Sequence, residues 1–159
     1  MEFSDFINKG DVQMRVQDPI LATALIEDSD ERYQYIHRQE ISEENSKYII
    51  ESSYDVLRTL IEAKLAFEGY KSYSHEATIL FLRRFEIGSY DIDFLDNLRK
   101  LRHGIKYYAR KPTIQELRQV LEFMEEMRIK IKSLMECDSS PKMNVYILHP
   151  LCVIFPSIY

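Results

Sequence analysis

Apolar residues return along this chain at intervals of three and four, and polar caps and glycines divide the pattern into five helical stretches. Asp18-Pro19 reads as an N-cap followed by proline in the first helical turn, where its missing N–H costs nothing; Ala22, Ile26, Tyr33 and Ile36 follow at helical spacing. A helix of about two dozen residues or fewer is predicted from there. Ser42, with Glu43 and Glu44 in the next turn, caps a second helix whose stripe Ile49, Val56, Leu60, Ala63 and Phe67 runs to Gly69, a left-handed terminator; it is expected to be the longest. Tyr70 to Ser74 forms a connection, and Ser72 or Ser74 caps a shorter third helix carrying Ala77, Leu80, Phe81 and Phe85 before the Gly88-Ser89 break.

The fourth helix, Asp91 to Ala109, places Phe94, Leu98, Leu101, Ile105 and Tyr108 on one narrow stripe. Thr113 and Glu116 then stand at capping-box spacing behind Pro112, and Leu117, Val120, Leu121, Met124, Met127, Ile131 and Leu134 mark the fifth helix. Short connections favour antiparallel neighbours. The expected fold is therefore all-α: an up-and-down bundle of four to five helices over residues 1–137, followed by a non-helical C-terminal tail, 138–159. That tail opens with Asp-Ser-Ser-Pro141 and becomes apolar and β-branched from Val145, but proline interrupts it too often for a bilayer span.

Composition agrees with a helical, globular chain. Of 159 residues, 45% are hydrophobic and 30% charged, with four glycines and five prolines. Cys137 and Cys152 are too few for a disulfide scaffold or a four-ligand zinc site, and no basic, apolar leader follows Met1. A cytoplasmic protein with no metal, no cofactor and no membrane association is the expectation.

The charge pattern is less even than the total. Net charge is -5, yet Arg99, Lys100, Arg102, Lys106, Arg110 and Lys111 are crowded together with no acidic residue between them. Such a cluster suits an anion, with Arg99, Arg102, Lys106, Arg110 and Lys111 as the binding set, although Arg102 is equally suited to an interhelical ion pair. Gly104 interrupts the same helix at a cost of about 1 kcal/mol relative to alanine, which suggests a kink or a close approach by another helix or a ligand. Tyr108 belongs to the apolar stripe and is expected in the core, whereas Tyr107 faces away and is free to stack on a base or a partner. His37 and His149 read as ordinary surface or tail residues. No Gly-rich phosphate loop, Ser-His-Asp set, His-Glu-x-x-His or clustered carboxylates are present.

From Leu98 the chain reads Leu98-Arg-Lys-Leu-Arg102-His103-Gly104-Ile-Lys106-Tyr107-Tyr108. This segment and the helix order around it, from about Asp18 to Met135, resemble the HEPN superfamily, whose four- to five-helix bundles carry an Arg-x4–6-His motif on a helix lining a dimer cleft. The resemblance implies a homodimer associated with RNA or a nucleotide. In catalytic members, arginine and histidine support metal-independent RNA cleavage, the histidine moving the proton of the attacking 2′-hydroxyl. Members often pair with a small nucleotidyltransferase in toxin–antitoxin modules, which would make Tyr107 or Tyr108 a possible acceptor of modification.

The slots open to the motif histidine are Tyr107, Tyr108 and Ala109, and tyrosine, with a pKa near 10, is almost never a base at neutral pH. Two other histidines could replace it beside Arg102. His103 is adjacent in sequence but points about 100° away on a helix, and His75 could approach from the start of the third helix. Arg102, His103 and His75 are thus the catalytic candidates. The expectation is a binding protein lacking full nuclease activity, against an endoribonuclease toxin with a composite dimer site and a helical scaffold without ligand.

Overall fold

The computed structural model describes residues 2–136. Within them the chain forms α1 (Phe3–Lys9), β1 (Val12–Met14), α2 (Pro19–His37), α3 (Ser46–Phe67), β2 (Tyr70–Ser72), α4 (His75–Leu80) with a 3-10 turn over Phe81–Arg84, α5 (Ser89–Tyr108) and α6 (Ile114–Glu136). The fold is all-α, a helical bundle with one small ribbon in which β1 pairs antiparallel to β2, Val12 opposite Ser72 and Met14 opposite Tyr70. None of the described helices is long and apolar enough to cross a membrane.

Side-chain pairs give the directions of the helices. On α2, Asp30 meets Arg128 and Lys132 of α6, while Tyr33 and His37 further along meet Glu125, so these two helices run antiparallel. Asp91 against Lys130 and Phe94 stacked on Phe123 set α5 antiparallel to α6 in the same way. The Lys64 ammonium of α3 reaches the Leu134 carbonyl of α6 at 3.1 Å, near the last turns of both helices, so α3 and α6 run parallel. The result is the up-and-down order of α2, α3, α5 and α6, with α4 touching both α3 and α5.

The core is centred on α3, where Ile50, Leu57, Leu60, Ile61 and Leu65 are buried on several faces of one helix. Against it α2 presents Ala22, Ser29 and Ile36, seven residues apart, and the buried Ser29 hydroxyl donates to the Val56 carbonyl at 3.0 Å. A small residue at that level allows the two backbones to approach, and the hydrogen bond satisfies the hydroxyl that burial would otherwise strand.

Local signals behaved as their chemistry dictates where a side chain completes its own cap. Asp18 accepts from the Leu21 amide, and Ser74, not Ser72, accepts from the Ala77 amide. Thr113 and Glu116 exchange both bonds of the capping box, at 2.9 and 3.1 Å. Gly69 adopts φ +75, and a Cβ there would lie 2.7 Å from the Arg15 carbonyl, because the chain after β1 crosses directly over it.

Other expectations are corrected. Ser42 does not begin the second predicted helix: it shares reciprocal bonds with Asn45, and α3 starts at Ser46, after that turn. At 22 residues α3 is one shorter than α6. The third predicted helix stops at Leu80 and tightens into the 3-10 turn, and the Tyr70–Ser74 connection contains a strand whose partner lies almost sixty residues earlier. The amphipathic α1 has Phe3 and Phe6 in the core, although too few turns precede Gly10 to register as a period. Tyr108 is not in the core but 76% exposed, on the last turn of α5 before Ala109 closes it in a left-handed conformation. The tail 138–159, with His149 and Cys152, and also Cys137, lie outside the described residues.

Gly104 neither lies against another helix nor occupies a left-handed position. The atoms nearest an added Cβ belong to the stem of Arg110, at 3.5 and 3.8 Å, ordinary contact distances. Gly104→Ala is therefore expected to raise stability, by up to about 1 kcal/mol from helix propensity and lost unfolded-state freedom. Chemical denaturation of the two proteins checks this; a lower midpoint would mean that the glycine is needed for a contact made outside the single chain.

Candidate functional site

The polar seam between α3 and α5 starts from one buried tyrosine. Tyr54 is 1% exposed in the middle of α3, where its ring packs well but its hydroxyl needs a partner. His75, the first residue of α4, supplies it: the hydroxyl lies 2.8 Å from Nδ1, and the two rings stack 16° from parallel with centroids 5.9 Å apart. The guanidinium of Arg102 on α5 covers the Tyr54 ring at 5.3 Å and reaches Asp55 at 3.3 Å. Arg102 is only 17% exposed, and its buried Nε has no acceptor among the described residues. Arg58, one turn along α3, is held by Glu62 at 2.8 Å.

Burial pushes the Tyr54 hydroxyl up to about 12, only partly opposed by the charges of Arg58, Arg102 and Arg99, so it remains protonated at any physiological pH. For His75, burial and then the Arg58 and Arg102 charges lower the pKa from 6.5, more than Glu62 and Asp55 raise it. Much of the residue is open to solvent, but the Nδ1 edge is covered by Tyr54. The ring is therefore neutral at neutral pH, beside a fixed cation.

The structure thus brings Arg102 and His75 together around Tyr54, and leaves His103 out. His103 lies on the outer face of α5, its ring 4.6 Å from that of Tyr107 and 5.6 Å from that of Tyr108. The basic cluster is also divided. Arg99 and Lys100 both pair with Asp96 at 2.7 Å, and Arg110 pairs with Glu116 at 2.5 Å. Lys106 and Lys111 have no ion pair among the described residues; the Lys106 ammonium lies 5.7 Å over the exposed Tyr107 ring.

These two lysines, with Lys47 from the first turn of α3, line an open groove of about 690 Å³ between the start of α3 and the α5–α6 link. Lys47 also has no ion pair among the described residues and sits 4.6 Å over Tyr48. Tyr107 borders the groove, and Glu43 and Glu44 give it one acidic side. Lys47 precedes Tyr54 by seven residues, roughly 10 Å along α3 on nearly the same face, and Lys106 follows Arg102 by one turn of α5. Groove and tyrosine cluster are therefore successive levels of one seam.

Sequence reasoning passed over Tyr54, Asp55, Arg58 and Lys47. A tyrosine within an apolar helix was the available signal, because a buried phenol demands a hydrogen-bond partner. His37, read as ordinary, also has partners: Glu125 binds it at 2.6 Å and accepts from the Tyr33 hydroxyl at 2.7 Å, while Arg128 covers the Tyr33 ring at 4.0 Å. Beside it, burial works against ionisation of Asp30, but Lys132 and Arg128 more than offset this and hold its carboxyl below the usual range. That network joins α2 to α6. Among the described residues no group of three or more histidine, cysteine, aspartate or glutamate side chains is placed to hold a metal ion.

Compared with protein-family models, curated proteins and solved structures, the chain matches none.

Because the folded pKa of His75 lies below its unfolded value, the unfolded chain binds more protons between the two, and stability falls as pH drops through about 6.5. Thermal unfolding between about pH 7.5 and 5 should show this loss, and His75→Gln should flatten it. Identical pH profiles for the two proteins would show that His75 is not held neutral by its surroundings.

Proposed function

We propose that this chain is a HEPN-like, homodimeric binding protein for single-stranded RNA or a nucleotide, and that it holds its ligand along the α3–α5 seam without cleaving it. The observation that carries this reading is the groove. Lys47, Lys106 and Lys111 line it with no ion pair among the described residues, and exposed Tyr107 adds an aromatic face at its edge. Cations that neutralise phosphates and a ring on which a base can stack are the two components of sequence-tolerant single-strand binding. Glu43 and Glu44 repel phosphate, so the ligand backbone lies on the α5 side of the groove. The paired residues Arg99, Lys100 and Arg110 are secondary, since a ligand would have to displace Asp96 or Glu116 to use them fully.

Replacing Lys106 and Lys111 together by glutamine is expected to weaken binding of short single-stranded RNA. It should also reduce the slope of log affinity against log salt by roughly one to one and a half, the release expected for two phosphate contacts on a single strand. Wild-type affinity that ignores salt, or a variant with the same slope, would remove the groove as the binding surface.

One observation favours a second reading, a metal-independent endoribonuclease: neutral His75 and cationic Arg102 share one tyrosine, which pairs the two residue types such cleavage requires. On this reading the purified chain degrades RNA in EDTA and Arg102→Ala abolishes the activity. RNA that stays intact with wild-type protein at high concentration excludes it.

A further inference from the structure

We infer that Tyr54 is a positioning residue that locks His75 in the Nε2–H tautomer, so that the imidazole presents a neutral hydrogen-bond donor, beside Arg102, to a phosphate oxygen of the ligand. The ligand class rests on the nucleic-acid reading above; the tautomer rests on packing alone.

The Tyr54 hydroxyl is buried, and its one partner among the described residues is His75 Nδ1 at 2.8 Å. A buried hydroxyl that donates to nothing loses its hydrogen bond to water without replacement. Were Nδ1 to carry the ring proton, the phenol would accept that N–H and its own hydrogen would have no acceptor. With the bare Nδ1 accepting instead, both groups are satisfied, and the single hydrogen of the neutral ring must be on Nε2. The near-parallel stacking holds the ring in the orientation that makes this bond.

The charged groups acting on the ring are Arg58 and Arg102 on the cationic side and Glu62 and Asp55 on the anionic side, and with burial they keep it neutral. Nε2 has no partner in the described chain, and the residue is exposed. An unpartnered N–H on an exposed ring, with the Arg102 guanidinium against the same tyrosine, suits an oxyanion. It does not suit a general base, which needs a lone pair on the outward nitrogen. The tautomer thus separates the two functional readings: it makes the cluster a phosphate-holding point above the lysine groove rather than the centre that deprotonates a 2′-hydroxyl.

Long-range 1H–15N spectra of the full chain at neutral pH test this directly. The expected result is a protonated Nε2 and a bare Nδ1 for His75 in the wild-type protein, and a mixture of tautomers in Tyr54→Phe. An Nδ1–H tautomer in wild type, or no change in Tyr54→Phe, would overturn the positioning role. Inorganic phosphate and a short oligouridylate are then added separately. A response to both marks a site open to free phosphate, and a response to the oligonucleotide alone marks a phosphodiester; an Nε2–H resonance that ignores both overturns the phosphate contact.

His75→Ala should weaken oligonucleotide binding by about tenfold, the scale of one lost hydrogen bond to a charged group. His75→Gln, whose amide can donate from nearly the same place, should restore most of it, and equal loss in both variants counts against the donor. If the groove lysines prove irrelevant while the tautomer and phosphate response hold, the groove reading fails and this one stands.

Discussion

Burial of α3 is the constraint on which the rest of this structure depends. A helix packed against α2, α5 and α6 at once has hardly any face left for water, so each polar group on it needs a partner within the protein. Ser53 turns back to the Ile49 carbonyl at 2.8 Å. Lys64, 1% exposed, is met by Glu68 and by the Leu134 carbonyl, and covers Phe85 at 5.0 Å. Tyr54 has no such local remedy. Its hydroxyl is satisfied only because α4 begins with a histidine at the right height, and its ring face is covered only because α5 sets an arginine over it. The candidate site is thus a consequence of satisfying one buried hydroxyl inside a crowded helix.

Charge arrangement follows from the same packing. Where α5 faces solvent, carboxylates three and four residues away neutralise its cations, as Asp96 does for Arg99 and Lys100. Where α5 faces α3, Arg102 is drawn inward to Asp55 and Tyr54. At the end of α5, Lys106 and Lys111 have no ion pair among the described residues, and Lys47 joins them from the first turn of α3. A chain of net charge -5 thus gathers Lys47, Lys106 and Lys111 in one groove, opposite Glu43 and Glu44, although bases do not dominate the composition.

The α2–α6 contact uses polar groups differently. Asp30, Arg128 and Lys132 interlock with Tyr33, Glu125 and His37 along a partly exposed seam. Their pairing sets which turns of the two helices lie opposite each other, while the buried interface of α2 is the run Ala22, Ser29 and Ile36. Arg128 and Lys132 are largely covered, 18% and 28% exposed, so this seam is part of the helix packing rather than a set of solvated surface pairs.

By itself the sequence determined the four long helices and those ends that a nearby side chain or glycine closes. Apolar spacing marked α2, α3, α5 and α6, and Asp18, Ser74, the Thr113–Glu116 box and left-handed Gly69 act within a few residues of themselves, so nearby chemistry was enough. Contacts between distant segments were decided only by the tertiary structure. The β1–β2 ribbon joins two three-residue stretches too short to carry a period, and Tyr108 is exposed although it continues the apolar stripe of α5. The meeting of Arg102 with His75 is of the same kind. Their residue types were legible, but His103 was nearer in sequence, and it was the turn of each side chain around its helix axis, together with the need of Tyr54 for a partner, that brought His75 to Arg102 and left His103 outside.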